Sequence, residues 1–173
     1  MKTLPLVEPG DVLAYWRVRS IFEELIDAGE TLEDGRQAKE YYHVSVALNG
    51  KQQIEALTSS GVGIHPIIYD GSFDVFKVPV SKSQRDRGLG KAVLLDGNKY
   101  NWWAVVDDAL GMLTFDSVRL PKRFMRKINK YLDDCSQVAL AYLRGCKWKP
   151  ALKFKTRITA TPQDIVNLLK PFQ

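Results

Sequence analysis

A cysteine in the stretch Asp134-Cys135-Ser136-Gln137, followed at once by the apolar run VALAYL, stands where a helix should begin. Asp134 has the side chain of an N-cap, which accepts a first-turn backbone N–H, and Gln137 sits where a capping-box partner reaches back. Gly145, after Arg144, supplies a left-handed stop at the other end. Cys135 is therefore expected in the first turn, where unpaired N–H groups and the positive end of the helix dipole favour the thiolate, the nucleophilic form of cysteine. Asp133 and Asp134 oppose this, because nearby negative charge favours the neutral thiol. A small buried hydrophobe is the other role open to Cys135, free cysteine being among the most buried residue types.

A thiol nucleophile needs a base, and the segment YYHVSVALNGKQQIEAL offers one in His43. Val44, Val46 and Leu48 alternate with His43, Ser45 and Ala47, and Ile54 and Ala56 alternate with Gln53 and Glu55, the period-two pattern of two half-buried strands. A two-residue turn at Asn49-Gly50 would set Val44 against Glu55, apolar against polar. A three-residue loop from Leu48 to Gly50, with Gly50 left-handed as a bulge, instead pairs Val44 with Ile54, Val46 with Gln52 and His43 with Glu55. In that register Glu55 stands directly across from His43, close enough to orient the imidazole. Nucleophile, base and base-orienting carboxylate are then all present in one chain.

The order GDVLAYW, YHVSVAL, IEAL, CSQVALAYL, TPQDIV resembles the circularly permuted NlpC-like cysteine hydrolases of the papain-like superfamily, in particular the YiiX-like branch, from Gly10 to about Val166. The resemblance implies a papain-like, permuted NlpC-type fold with Cys135 as nucleophile, His43 as base and Glu55 as orienting residue. It further implies an amide, peptide or acyl bond as target, with peptidoglycan peptides and lipids among the candidate substrates. Lecithin retinol acyltransferase and its relatives share the permuted arrangement with histidine as third residue, so Glu55 points away from that branch. The chain departs from the family pattern at Tyr42, where a serine often precedes the histidine, and at Asp133-Asp134 before the cysteine.

The elements that must position these groups form a compact mixed pattern. A strand in DVLAYWRV leads to a short helix opened by the capping box Ser20-Ile21-Phe22-Glu23 and ended by Gly29. Beyond the hairpin, GVGIHPI and FDVFKVPV read as strands separated by the turn Tyr69-Asp70-Gly71. Lys82 to Asp96, Tyr100 to Leu113 and Pro121 to Leu132 read as helices, the first interrupted by Gly88 and Gly90. Thr161-Pro162-Gln163-Asp164 opens a last short helix. An α+β architecture follows, an antiparallel sheet toward the N-terminus with packed helices, in one domain covering residues 1–173.

Composition bounds the partners. With 173 residues and 45% hydrophobic content the chain can build a core without disulfides. Cys135 and Cys146 would flank one helix, about 16 Å apart at 1.5 Å per residue, too far to bridge. Reduced thiols, and a start MKTLPLVEPGDV without an apolar stretch of signal-peptide length, suit the cytoplasm. No run approaches the roughly 20 apolar residues of a spanning helix. Two histidines and two scattered cysteines lack zinc-site spacing, so no metal or other cofactor is expected. A net charge of +5, concentrated in RLPKRFMRKINK and KWKPALKFKTR, leaves a second class open, a non-catalytic module for nucleic acid or an anionic surface. No nucleic-acid motif accompanies that charge, and a solvated helical face accounts for it. Tyr100, Trp102 and Trp103 would pack helices or line a groove, and His65, just before Pro66, matches no base position of the family pattern. Composition leaves the oligomeric state open.

Overall fold

The computed structural model describes residues 5–16, 41–101, 121, 132–153 and 160–173. The helix expected from Ser20 to Gly29, the bodies of those expected at Tyr100–Leu113 and Pro121–Leu132, and Trp102 and Trp103 fall outside these residues.

Five strands, β1 (Val12–Tyr15), β2 (His43–Ala47), β3 (Gln52–Leu57), β4 (Gly61–Pro66) and β5 (Phe73–Phe76), form an antiparallel sheet in the order β4-β3-β2-β1-β5. Val12, Ala14, Val44, Val46, Ile54 and Ala56 come from alternate positions of the three central strands and share one apolar face. Helices α1 (Lys82–Val93), α2 (Cys135–Gly145), α3 (Lys149–Lys153) and α4 (Pro162–Leu169) follow, with a short 3-10 turn at Lys170–Phe172. α2 buries Val138, Ala139, Tyr142 and Leu143 completely, and together with Ile165, Val166 and Leu169 of α4 they cover the apolar face of the sheet. Each such aliphatic side chain contributes about 1.5–3 kcal/mol on burial. Leu13, Tyr15, Ala47 and Phe73, on the other face, form a second cluster with Val7, Tyr42 and Ile67. This is the α+β arrangement expected of the sequence.

Helix ends follow local chemistry. Asp134 caps α2 by accepting the Gln137 N–H at 2.8 Å. Thr161 and Asp164 form the reciprocal capping box of α4, with bonds of 3.1 Å each way. Ser81 and Gln84 do the same for α1, which ends at Val93, short of the expected Asp96, because residues 94–97 leave the helix in turns.

Gly145 is not the left-handed stop. It lies inside α2, and the left-handed residue is Lys147, at φ 54°. The glycines serve a helix crossing instead. A Cβ on Gly145 would stand 2.9 Å from Gly88 Cα, and one on Gly88 would stand 2.7 Å from the Tyr142 carbonyl oxygen. Their absence lets α1 and α2 touch backbone to backbone, while Gln84 Nε2 and Arg87 Nε donate to the end carbonyls of Cys146 and Gly145 at 3.2 and 2.9 Å. Tyr100 and Leu132, expected in helices, belong to the short parallel strands β6 (Lys99–Tyr100) and β7 (Leu132–Asp133), and β7 runs straight into the cap of α2.

The hairpin also departs from the expected register. Val46 pairs with Ile54 and Ala47 with Gln53, a shift of two residues that keeps every side chain on its face. The loop is Asn49 to Lys51, closed by Leu48 N–H donating to the Gln52 carbonyl at 2.8 Å. Asn49 Oδ1 accepts from Lys51 N and Gln52 N at 2.8 and 3.0 Å, so its side chain shapes the turn. Gly50 is not left-handed; among the described residues the glycines at positive φ are Gly10, Gly61, Gly71 and Gly97.

Candidate active site

Position in the fold brings the three candidate residues together from three elements. Cys135 is the first residue of α2, 6% exposed and within the helix-covered core. His43 opens β2, close enough to Cys135 for the thiol to bear on its protonation. Glu55 lies on β3, and its Oε2 is 2.8 Å from His43 Nε2. Continuing the observed register sets Glu55 across from Ser45, so it reaches His43 as a diagonal neighbour and not head-on. Its length covers the extra distance. Because Nε2 is engaged by Glu55, Nδ1 is the nitrogen left for the sulfur.

The polar face of the hairpin is a buried hydrogen-bond network. Gln53 and Ser45 are 2% and 0% exposed. Gln53 Oε1 accepts from Tyr15 Oη at 2.5 Å and from Ser45 Oγ at 2.7 Å, which fixes its amide so that Nε2 donates to Glu55 Oε1 at 3.0 Å. Tyr15, Ser45 and Gln53 thus each find a partner, and the Glu55 carboxylate is held from the side away from His43. Tyr15, Ser45 and Gln53 are the positioning residues that the sequence reading passed over. Their signal was present, in that the polar members of these strands are Ser and Gln, which pair in a core more readily than Lys or Arg.

The aromatic Tyr42, in the place where the family pattern has serine, is buried and stacks near the imidazole, with ring centroids 6.3 Å apart and planes at 30°. Tyr15 approaches the same ring from β1 at 5.5 Å. On this outer face a cavity of about 250 Å³ is bounded by His43, Glu55 and His65 with Tyr15, Tyr42 and Ile68 among its walls. Cys135 does not line it, so His43 is the residue common to the thiol and the cavity.

Electrostatics follow from this packing. Burial alone would lower the affinity of His43 for a proton, but the Cys135 sulfur and then the Glu55 carboxylate outweigh it and push the imidazole up to about 10. Burial works the opposite way on Glu55, raising it; His43, His65 and Gln53 together bring its carboxyl below the ordinary value of 4.5. The ring and the carboxylate therefore favour their charged forms against each other.

His65, on β4, faces this cluster and is not remote from it: its Nδ1 is 3.3 Å from Glu55 Oε1. Both cysteines are free and buried, at the two ends of α2. Among the described residues no group of three or more His, Cys, Asp or Glu side chains is arranged to hold a metal, and no helix is long and apolar enough to cross a membrane. No protein-family model, curated protein or solved structure matches this chain.

Proposed function

We propose that this protein is a cysteine hydrolase that cleaves an amide, peptide or acyl bond through Cys135, His43 and Glu55, on a permuted NlpC-like, papain-type version of its α+β fold. One observation supports the reading above all others: the His43 ring bonds a buried carboxylate at 2.8 Å and is coupled electrostatically to a thiol at a helix N-terminus.

In this reading His43 takes the Cys135 proton, and the sulfur adds to the substrate carbonyl to give a tetrahedral oxyanion. The backbone N–H of Cys135, at the first helical position, is the oxyanion donor, helped by the positive end of α2. Collapse of the oxyanion expels the amine or alcohol, which takes its proton from His43, and leaves a thioester on Cys135. Water, giving a proton to His43, then adds to the thioester; the product acid departs and the thiol is restored. Glu55 holds the ring and stabilises its charged form throughout. Peptides of the cell wall are the first substrates to test, and a carboxylate in place of a second histidine favours water over another acyl acceptor. The partner is thus an amide- or acyl-bearing molecule, not nucleic acid.

Intact-mass measurement after exposure to a panel of nitrophenyl esters and peptide anilides tests this. The wild type should carry one acyl adduct on Cys135 and turn it over, and Cys135→Ala should do neither. Absence of adduct and turnover across the panel, or equal turnover by Cys135→Ala, would overturn it.

A further inference from the structure

We propose that His65 is a positioning residue that clamps the far oxygen of Glu55, so that the near oxygen stays on His43. This rests on the reading of Glu55 as the residue that orients the base. His65 pairs across the strands with Gln53, on the same face as Glu55, and its Nδ1 lies 3.3 Å from Glu55 Oε1. That atom is buried and makes no aligned hydrogen bond, so the carboxylate is its nearest polar neighbour in an ion-pair contact. Glu55 therefore has an imidazole at each oxygen: His43 on Oε2, and His65 beside Gln53 on Oε1.

A glycine makes room for this. Gly63 pairs directly with Glu55, and a Cβ there would meet His65 Cε1 at 3.0 Å and Nε2 at 3.2 Å. The His65 ring thus lies over the bare backbone of Gly63 and reaches toward Glu55 through the space a side chain would fill. Glycine weakens a strand interior, and its presence often marks such a close approach.

The groups facing Glu55 among the described residues are His43 of β2, Tyr15 of β1, Gln53 of β3, His65 of β4 and Tyr42, with Cys135 of α2 behind His43. His65 and His43 are the two that can place positive charge beside the carboxylate. A cationic His65 lowers the pH at which Glu55 takes up a proton, alongside the larger effect of His43. The clamp therefore matters most in acid, where losing the Glu55 charge would release His43 from its orientation.

The test is carbon NMR titration of the Glu55 side-chain carboxyl in wild type, His65→Gln and Gly63→Ala, with the rate of Cys135 alkylation followed over the same pH range. Both substitutions should raise the Glu55 midpoint, by about one pH unit for a neighbouring charge lost. The acid edge of Cys135 alkylation should rise with it. The double variant should show no further rise, because Gly63→Ala acts through the His65 ring. An unmoved Glu55 midpoint in folded His65→Gln would overturn the clamp. If the midpoint rises while wild-type Cys135 alkylates no faster than in His43→Ala, the clamp stands and the hydrolase reading fails.

Discussion

Replacing Glu55 by Gln tests the electrostatic core of the site with little change of shape. The carboxylate is 8% exposed, its Oε2 lies 2.8 Å from His43 Nε2, and its Oε1 takes the Gln53 amide at 3.0 Å, so solvent screens it little. A hydrogen bond to a charged partner is worth about 1.5–3 kcal/mol. Taking about 2 kcal/mol as the loss in Glu55→Gln, and 1.36 kcal/mol per pH unit, the His43 midpoint should fall by about 1.5 pH units. From a start of about 10 the ring stays mostly protonated at pH 7 in the variant, so Cys135 alkylation at that pH should change little. Proton NMR of the imidazole and iodoacetamide kinetics read these two quantities separately.

Stability should follow the same pair. His43 is raised from 6.5 to about 10 in the folded protein, so its contribution is complete below the lower value and is lost as pH rises through the upper. Glu55 is lowered from 4.5, so its contribution is complete above that value and is lost as pH falls further. The difference between wild type and Glu55→Gln in urea unfolding should therefore be largest near pH 5.5 and should shrink by about pH 10. A His43 midpoint unchanged in the variant, or a stability difference equal at both pH values, would refute this reasoning.

Other substitutions separate packing from chemistry. Gly88→Ala should destabilise the fold by about 1–3 kcal/mol in urea unfolding, because its Cβ would be driven against the Tyr142 carbonyl and the Cys146 sulfur across the α1–α2 crossing. Asp134→Ala should cost about 1 kcal/mol by freeing the Gln137 N–H, measured the same way. Asn49→Ala should cost a similar amount and raise amide exchange at Lys51 and Gln52, whose N–H groups its side chain accepts.

What could be read from the sequence was what neighbouring residues decide. The caps at Asp134 and Thr161, the alternation in the hairpin and the strands GVGIHPI and FDVFKVPV depend on contacts a few residues apart, and the structure contains them. The hairpin register escaped because a single side-chain oxygen on Asn49 sets the loop one residue later, and a shift by two leaves the apolar pattern unchanged. Gly88 was read as a helix weakness and Gly145 as a helix stop because their purpose, contact between two helices about 57 residues apart, is tertiary. The approach of Cys135, His43 and Glu55 was legible in outline, since the helix start carries the first and the strand pair the other two. The buried network behind Glu55 was not, because alternation distinguishes two faces of a sheet without telling which of them meets water.

The most direct measurement is the alkylation rate of Cys135 relative to Cys146 as a function of pH, in wild type and in His43→Ala. Cys146, buried and with its thiol pushed up by burial, is the internal reference. Cys135 is predicted to label much faster than Cys146 below about pH 8, with that advantage gone in His43→Ala. Equal, slow labelling of both cysteines, unaffected by the substitution, would contradict the account and leave Cys135 a packing residue.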